Sequence, residues 1–170
     1  MGNMTKNIGD FFAAAEEFVN YFNVWVENYS PAATADHICY KCSSNEEFET
    51  LRSIFEHESQ FVYQSIISKR RIAVIKFLQP LKSSLGDIWY LELSDQKPDG
   101  SQTSGFDHIE VYPIEGSMDA LADALASQGV AMEKITRPHH TTYDIFIEGE
   151  FKVRIEPEKL LLKIQREEMT

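Results

Sequence analysis

The 170-residue sequence is poor in cysteine, with Cys39 and Cys42 as its only two. They stand at i and i+3 of a predicted strand and therefore face opposite ways, which favours neither a disulfide nor a shared metal. Reduced, half-buried cysteines of this kind suit a cytosolic protein. We therefore expect both cysteines to be structural.

Long apolar runs are also missing. The apolar stretch near the N-terminus is interrupted by Asp10, Glu16 and Glu17, so it does not resemble a signal peptide. No run approaches the roughly 20 apolar residues that cross a bilayer. These absences predict a soluble, cytoplasmic protein that has no membrane partner.

Positive charge is scarce, because 16 Lys and Arg face 27 Asp and Glu, for a net charge of −11. Binding to a phosphate backbone relies on clustered Lys and Arg. The single tight basic cluster, Lys69-Arg70-Arg71, is too short for such a surface. We therefore expect no nucleic-acid partner. The hydrophobic content of 43% and the eleven Phe suffice for one globular core, or for two small halves that share a sheet.

What the sequence does contain is a repeated triplet, Asp36-His37-Ile38 and Asp107-His108-Ile109. In a strand, successive side chains point to opposite faces. Each triplet therefore begins a strand with a histidine on one face and an apolar layer on the other. The first polar face carries His37, Cys39 and Lys41, opposite Ile38, Tyr40 and Cys42. The second carries His108, Glu110 and Tyr112, opposite Ile109 and Val111.

The same series of elements follows each triplet. In the first half we predict a strand at 35–42, a helix capped by Ser44-Asn45-Glu46-Glu47, and strands at 59–67, 71–78 and 87–94, with a connection over 80–86. In the second half we predict a strand at 107–113, a helix from Met118 that Gly129 ends, and strands at 130–136, 142–148 and 151–156. The prediction is an α+β fold of two βαβββ repeats.

Further helices are predicted at both ends. Residues 8–29 have an aromatic stripe that includes Phe11, Phe18, Phe22 and Trp25 at helical spacing, and we expect the stripe to pack on the core rather than form a partner-binding groove. A closing helix follows Pro157. We therefore divide the chain into an N-terminal helical segment (1–31) and a main domain (32–170) with halves 32–94 and 105–165 and a linker at 95–104.

Two βαβββ halves that each begin with a histidine resemble the vicinal-oxygen-chelate superfamily, which includes glyoxalase I and the extradiol dioxygenases. Within it, the chain resembles the YecM family over roughly residues 8–165. The motifs that support this resemblance are Thr34-Ala35-Asp36-His37-Ile38, Arg70, Lys76, Pro80 and Asp107-His108-Ile109-Glu110. The resemblance implies that the halves form a curved mixed sheet around a cleft, with the extra N-terminal helix outside it.

The resemblance also implies metal ligands on the first and fourth strands of each half. These positions are His37, Glu92, His108 and Glu156. Direct alignment of the fourth strands instead places Arg154 opposite Glu92, and arginine cannot bind a metal. The site therefore has either three ligands or Glu156 as the fourth.

Two imidazoles with one or two carboxylates suit Fe(II), Mn(II), Ni(II), Co(II) or Zn(II) and leave positions for substrate oxygens. Each histidine could instead bond a backbone carbonyl, and Glu92 could form a salt bridge to Lys76. Glu110 shares a face with His108 and could orient it as an outer partner. Expected substrate-binding residues are Arg70, Lys76, Tyr90 and Arg154. The guanidinium group of an arginine binds carboxylate or phosphate through two hydrogen bonds.

The function predicted from the sequence is a metal-dependent isomerase, lyase or oxygenase acting on a small oxygen-rich molecule, anionic if the basic residues bind it. One alternative is a metal-free small-molecule binding protein of the same fold, since fold alone does not determine function. Another is a protein-interaction module that uses the aromatic N-terminal helix. Either a monomer or a homodimer is compatible with the sequence.

Overall fold

The computed structural model describes residues 7–138, 140–160 and 162. It begins with helix α1 (Ile8–Tyr29). The first repeat comprises β1 (Ala33–Lys41), α2 (Asn45–His57), β2 (Ser59–Ile67), β3 (Arg70–Ser83) and β4 (Gly86–Ser94). The second comprises β5 (Gly105–Pro113), α3 (Met118–Ser127), β6 (Glu133–Thr136), β7 (Thr141–Glu148) and β8 (Phe151–Ile155). The closing helix predicted after Pro157 falls mostly outside the described residues.

All eight strands form one curved, unclosed mixed sheet in the order β2-β3-β4-β1-β5-β8-β7-β6. Each repeat pairs its first strand with its fourth in parallel, β1 with β4 and β5 with β8. The two first strands lie side by side at the centre of the sheet and run antiparallel. The predicted α+β class with two βαβββ repeats is therefore confirmed.

Helix α1 packs its aromatic stripe onto the domain, as predicted. The helix begins at Asn7, whose side chain accepts a hydrogen bond from the backbone N–H of Asp10. Phe11 is buried, and its ring lies 5.2 Å from those of Phe55 and Phe106. Phe22 is also buried. Because these rings fill the core, the stripe does not offer the contact surface that an interaction module would need.

The two faces of the sheet differ in polarity. Ile38, Leu91 and Ile109 are fully buried in the same cluster as the apolar sides of the three helices. Their chain neighbours His37 and His108 point to the opposite face, because side chains alternate along a strand. The helices therefore cover the apolar face and leave the polar side chains to line cavities on the other.

Two strands differ in length from the prediction. The predicted connection at 80–86 is wrong over its first part, because β3 continues to Ser83. Pro80 is accommodated by a register shift between Lys76 and Leu81, since proline within a sheet is tolerated at such irregularities. Strand β6 begins at Glu133 rather than at residue 130.

Both cysteines are buried free thiols, as expected. Within the part of the chain that the structure describes, no helix is both long enough and apolar enough to cross a bilayer.

Candidate metal centre

Each Asp-His pair lies in a β-bulge between the two central strands. The register of β1 and β5 shifts between Ala35 and Ile38, at the pair Asp36-His37, and again opposite the pair Asp107-His108. Adjacent residues of a regular strand point to opposite faces, but a bulge re-aims one of them. The aspartate and the histidine can therefore meet on one face of the sheet.

The two bulges bring four side chains together on the polar face. His37, Glu92, His108 and Glu110 each offer one nitrogen or oxygen, and these four atoms lie within 4.8 Å of one another. Oε2 of Glu110 is 3.3 Å from Nε2 of His37 and 3.2 Å from Nε2 of His108. Oε1 of Glu92 is 3.6 Å from each of the same nitrogens.

Partners on the outer nitrogens orient both imidazoles. Nδ1 of His108 lies 2.7 Å from Oδ2 of Asp107, and Nδ1 of His37 lies 3.3 Å from Oδ1 of Asp36. The Tyr112 hydroxyl is 3.0 Å from the same His37 nitrogen and donates to Oε1 of Glu110 at 3.0 Å. With Nδ1 occupied in this way, Nε2 of each ring faces the centre.

Two atoms at the centre are buried without a hydrogen-bond partner among the described residues. They are Nε2 of His37 and Oε1 of Glu92. Leaving a buried polar group unsatisfied costs roughly 1–3 kcal/mol, and more if the group is charged. A divalent cation accepts electron pairs from imidazole nitrogen and carboxylate oxygen, so it would satisfy both atoms at once. The donor set therefore fits a metal.

Without a cation, the centre relies on protons to balance its charges. Burial disfavours a charged His37 ring, but the nearby carboxylates of Glu110, Asp36 and Glu92 outweigh burial and raise its pKa well above 6.5. Burial likewise works against a charged Glu92, yet its contacts with both imidazoles hold its pKa well below 4.5.

The pKa of His108 is also raised, for partly different reasons. Burial and the charge of Arg154 work against its protonation, while Cys39 and Asp107 favour it, and its pKa also lies well above 6.5. Asp107 is held ionised: burial opposes this, but His108, Lys41 and Lys152 lower its pKa far below the usual range. The ammonium groups of Lys41 and Lys152 lie 3.4 and 3.1 Å from its carboxylate oxygens.

The structure brings together three of the four residues that the resemblance implied as ligands, and it places the fourth elsewhere. The carboxylate of Glu156 faces His140, whose Nε2 lies 3.0 Å from Oε1. Glu110, which the sequence suggested as an outer partner of His108, occupies the place in the group of four. Among the described residues, Glu156 does not belong to that group.

The residues expected to bind substrate do not all line one cavity, because Arg70 and Arg154 line one and Tyr90 lines another. Arg154 forms a two-pronged ion pair with Asp144, at 2.8 and 3.1 Å. The ammonium of Lys76 lies over the rings of Trp89 and Tyr90, at 5.4 and 5.9 Å from their centroids. A salt bridge between Lys76 and Glu92 is therefore not what the structure shows, since Glu92 turns towards the imidazoles.

Two cavities flank the group of four. One, of about 150 Å³, is lined by Glu92 and Glu110 together with Arg70, Arg137, His140, Arg154 and Glu156. The other, of about 270 Å³, is lined by His37, Tyr90, Val74 and Leu162 among others. Leu160 lines both cavities and is buried against Ile72 and Val74 of β3. A cavity therefore lies against the centre on each of two sides.

Several residues of the centre had no place in the expectations from sequence. Asp36 and Asp107 precede the two histidines, and a repeated Asp-His pair was the signal that could have identified them. Tyr112 stands two positions after Glu110 on the same predicted face, which is the signal for its contact. Arg137 lies in a loop, and the sequence contains no pattern that points to it.

The fold and the site define a duplicated α+β protein whose two repeats build one buried centre of two imidazoles and two carboxylates. The chain belongs to the YecM family, because the family model described as YecM protein matches residues 1–161. The family resemblance read from the sequence is confirmed. A comparison with curated proteins found no match.

Solved structures resemble this chain to different extents. A structural-genomics protein, EC4020, is 20% identical and has a TM-score of 0.69, with 98% of this chain and 97% of that chain covered. A variant of Streptomyces coelicolor methylmalonyl-CoA epimerase in complex with 2-nitronate-propionyl-CoA is 16% identical, with a TM-score of 0.49 and coverage of 76% of this chain and 99% of that chain. A methylmalonyl-CoA epimerase in complex with methylmalonyl-CoA and NH4+ is 18% identical, with a TM-score of 0.45 and coverage of 73% and 93%. The likeness to EC4020 extends over nearly the whole chain and shows a common fold.

Proposed function

We propose that this YecM protein is a metal-dependent enzyme of the vicinal-oxygen-chelate type that acts on a small oxygen-rich molecule. A divalent ion, Fe, Mn, Ni, Co or Zn, would be held by His37, Glu92, His108 and Glu110. The reaction class would be an isomerisation, a lyase reaction or an oxygenation. The duplicated βαβββ architecture, with a histidine in each of the two central strands, supports this superfamily assignment.

The observation on which the proposal rests is the pair of buried, unpartnered atoms at the centre of the four side chains. Nε2 of His37 and Oε1 of Glu92 lie 3.6 Å apart, and neither has a hydrogen-bond partner in the part of the chain that the structure describes. Hydrogen bonding normally satisfies buried polar atoms. Two such atoms in one group of potential ligands are therefore most simply explained as ligand atoms for a cation.

The chain's own residues prepare this centre. Asp107 and Asp36 hold the two rings so that each Nε2 points inward, and the Tyr112 hydroxyl fixes one oxygen of Glu110. Glu92, with 16% of its side chain exposed, is the most open of the four and faces the smaller cavity. When bound, the ion would act as a Lewis acid that binds two neighbouring substrate oxygens and stabilises negative charge developing on them.

Calorimetric titration with Mn(II), Fe(II), Ni(II) and Zn(II) tests the proposal on untagged protein that has been treated with a chelator and dialysed. We expect one ion per chain with micromolar or tighter affinity for at least one metal. Replacement of His108 by Ala should abolish stoichiometric binding, because the site then lacks one of its two nitrogens. If none of the four metals binds more tightly than the millimolar range, the metal-enzyme proposal is wrong.

A metal-free binding protein of the same fold is the second candidate. The observation that favours it is the contact of Glu110 and Glu92 with both imidazoles, because two carboxylates balance the charge of two protonated rings. In that case His37 and His108 would act as hydrogen-bond donors to a ligand. Failure of every metal to bind, together with retained folding, would favour this candidate. A cytoplasmic location and a monomeric or homodimeric state remain proposals.

A further inference from the structure

Two equivalent turns of the repeats meet at the smaller cavity. The turn between β2 and β3 contributes Ile67, Ser68 and Arg70, and the turn between β6 and β7 contributes Arg137 and His140. Because the repeats are duplicates, these turns face each other across the central strands. The cavity that Glu92 and Glu110 open into is therefore bordered by an arginine from each half.

The other charged groups of this cavity already have partners. Glu92 and Glu110 face the imidazoles, and Glu156 lies against His140. Arg154 is paired with Asp144 through two hydrogen bonds. This leaves two guanidinium groups, those of Arg70 and Arg137, which form no ion pair with a carboxylate within the described ranges 7–138, 140–160 and 162.

Arg137 is the better placed of the two. Its Nε donates to the Thr142 hydroxyl at 2.9 Å, which is its only side-chain partner among the described residues, and this bond orients the guanidinium group. The side chain is half-buried. Burial, followed by the charge of Arg154, lowers the pKa of Arg137, against the opposing charges of Asp144, Glu156 and Glu110. Among the described residues, Arg70 donates only to the backbone carbonyl of Asp95, at 3.5 Å.

We propose that Arg137 is the specificity-determining residue of this site and that the substrate has an oxyanion group, carboxylate or phosphate, which the guanidinium of Arg137 binds with help from Arg70. This inference rests on the proposed function in that it concerns the cavity next to the metal centre. An oxyanion accepts two parallel hydrogen bonds from a guanidinium group, and such charged pairs are strong when partly buried. The anion would supply the negatively charged partner for the Arg137 guanidinium.

This assignment differs from the expectation that Arg154 and Lys76 bind the anion. Arg154 already makes the bidentate contact that a substrate would need, with Asp144 as its partner. Lys76 does not line the smaller cavity and lies over aromatic rings. A neutral substrate would leave Arg137 half-buried and unmatched, which is the unfavourable state that an anion removes.

Binding of inorganic phosphate and of acetate, measured by calorimetry on the Mn(II)-loaded and on the metal-free protein, tests the inference. We expect at least one of the two anions to bind, and its affinity to fall about tenfold or more in Arg137→Gln. Arg137→Lys should lose part of this affinity, because it keeps the charge but not the two-pronged geometry. Arg52→Gln, which removes the same charge on the exposed surface of α2 beside Glu56, should bind as the unaltered protein does. Whichever anion binds more tightly identifies the head group.

The outcomes separate this inference from the metal proposal. If none of the four metals binds but an anion binds through Arg137, the metal proposal is wrong and the anion site stands. If Mn(II) binds and Arg137→Gln leaves the affinity for both anions unchanged, the anion site is wrong. Absence of any anion binding at millimolar concentration also overturns it. Melting temperatures of both Arg137 variants show whether they are folded, and Arg137→Lys supplies the comparison if Arg137→Gln is not.

Discussion

Cys39 occupies in the first repeat the position that Glu110 occupies in the second. Each stands two residues after the histidine of its own triplet. Cys39 pairs with Glu92 on the parallel fourth strand, and Glu110 pairs in the same way with Arg154. In each repeat, one residue of this pair is therefore a glutamate that faces the centre, but the glutamate lies on the fourth strand in the first repeat and on the first strand in the second.

This exchange explains how a duplicated fold builds an asymmetric centre. Each repeat still contributes one imidazole and one carboxylate. Arg154 stands at the position equivalent to Glu92 but cannot bind a metal, and its charge is paired with Asp144 on the neighbouring strand. The fourth strand of the second repeat has Arg154 where the first repeat has a carboxylate. Glu110 on β5 therefore supplies the carboxylate of the second repeat.

The first prediction distinguishes the two glutamates that could complete the site. Glu110→Gln should weaken Mn(II) binding by more than the roughly 10- to 100-fold expected for an outer partner, because it removes one of four donors. Glu156→Gln should have little effect on Mn(II) affinity, because Glu156 faces His140. Calorimetry on both variants provides the measurement. A larger loss in Glu156→Gln than in Glu110→Gln would contradict the arrangement.

The second prediction concerns the two aspartates that orient the rings. Asp36→Asn and Asp107→Asn should each lower metal affinity by roughly 10- to 100-fold without changing the stoichiometry. Asp107→Asn should also lower the melting temperature, because it leaves Lys41 and Lys152 without their shared carboxylate. Asp99→Asn, in the exposed connection between the repeats, is the matched control. Unchanged affinity in both test variants would show that the aspartates do not position the histidines.

The third prediction is the pH dependence of the stability of the metal-free protein. His37 and His108 have folded-state pKa values above 6.5, so their stabilisation is complete below pH 6.5 and is lost as the pH rises through the raised values. Glu92 has a lowered pKa, so its contribution is complete above 4.5 and is lost as the pH falls. Denaturant unfolding in a chelator should show greatest stability between these limits. Stability that keeps rising from pH 6 to 9 would refute the assignment.

The fourth prediction is that metal and protons compete for the two rings. Two protonated imidazoles balance two carboxylates in the metal-free centre, and a divalent ion with neutral rings gives the same total charge. Binding of one ion at pH 7 should therefore release about two protons. Titrations in two buffers that differ in ionisation enthalpy measure this number. A value near zero would mean that the rings are already neutral before the ion binds.

The fifth prediction tests the packing of α1. Phe11→Ala should lower the free energy of unfolding by about 3–5 kcal/mol, because the ring is buried among Phe55, Phe106 and Tyr40. Phe146→Ala, at a ring that is 51% exposed, should cost no more than about 1 kcal/mol. Urea unfolding of both variants is the measurement. Equal effects would mean that α1 does not contribute to the core as described.

The order of the elements and the shared face of His108, Glu110 and Tyr112 follow from local sequence patterns. The helical spacing of the aromatic residues in 8–29 and the alternation after each Asp-His-Ile triplet are local patterns. Such patterns can be recognised in the sequence without knowing the fold. The repetition of the triplet then predicted the duplication. The family resemblance that these repeats support then implied that His37, Glu92 and His108 are neighbours.

Only the tertiary structure decided which carboxylate joins them. Glu110 and Glu156 are both compatible with the alternation, and the choice depends on register between strands that are distant in the chain. The two bulges that turn Asp36 and Asp107 onto the histidine face are likewise set by pairing between β1 and β5. Arg137 reaches the cavity from a loop, whose path no periodicity encodes. A shift of one residue reverses the face of every side chain in a strand, so a site assembled across strands depends on the packed sheet.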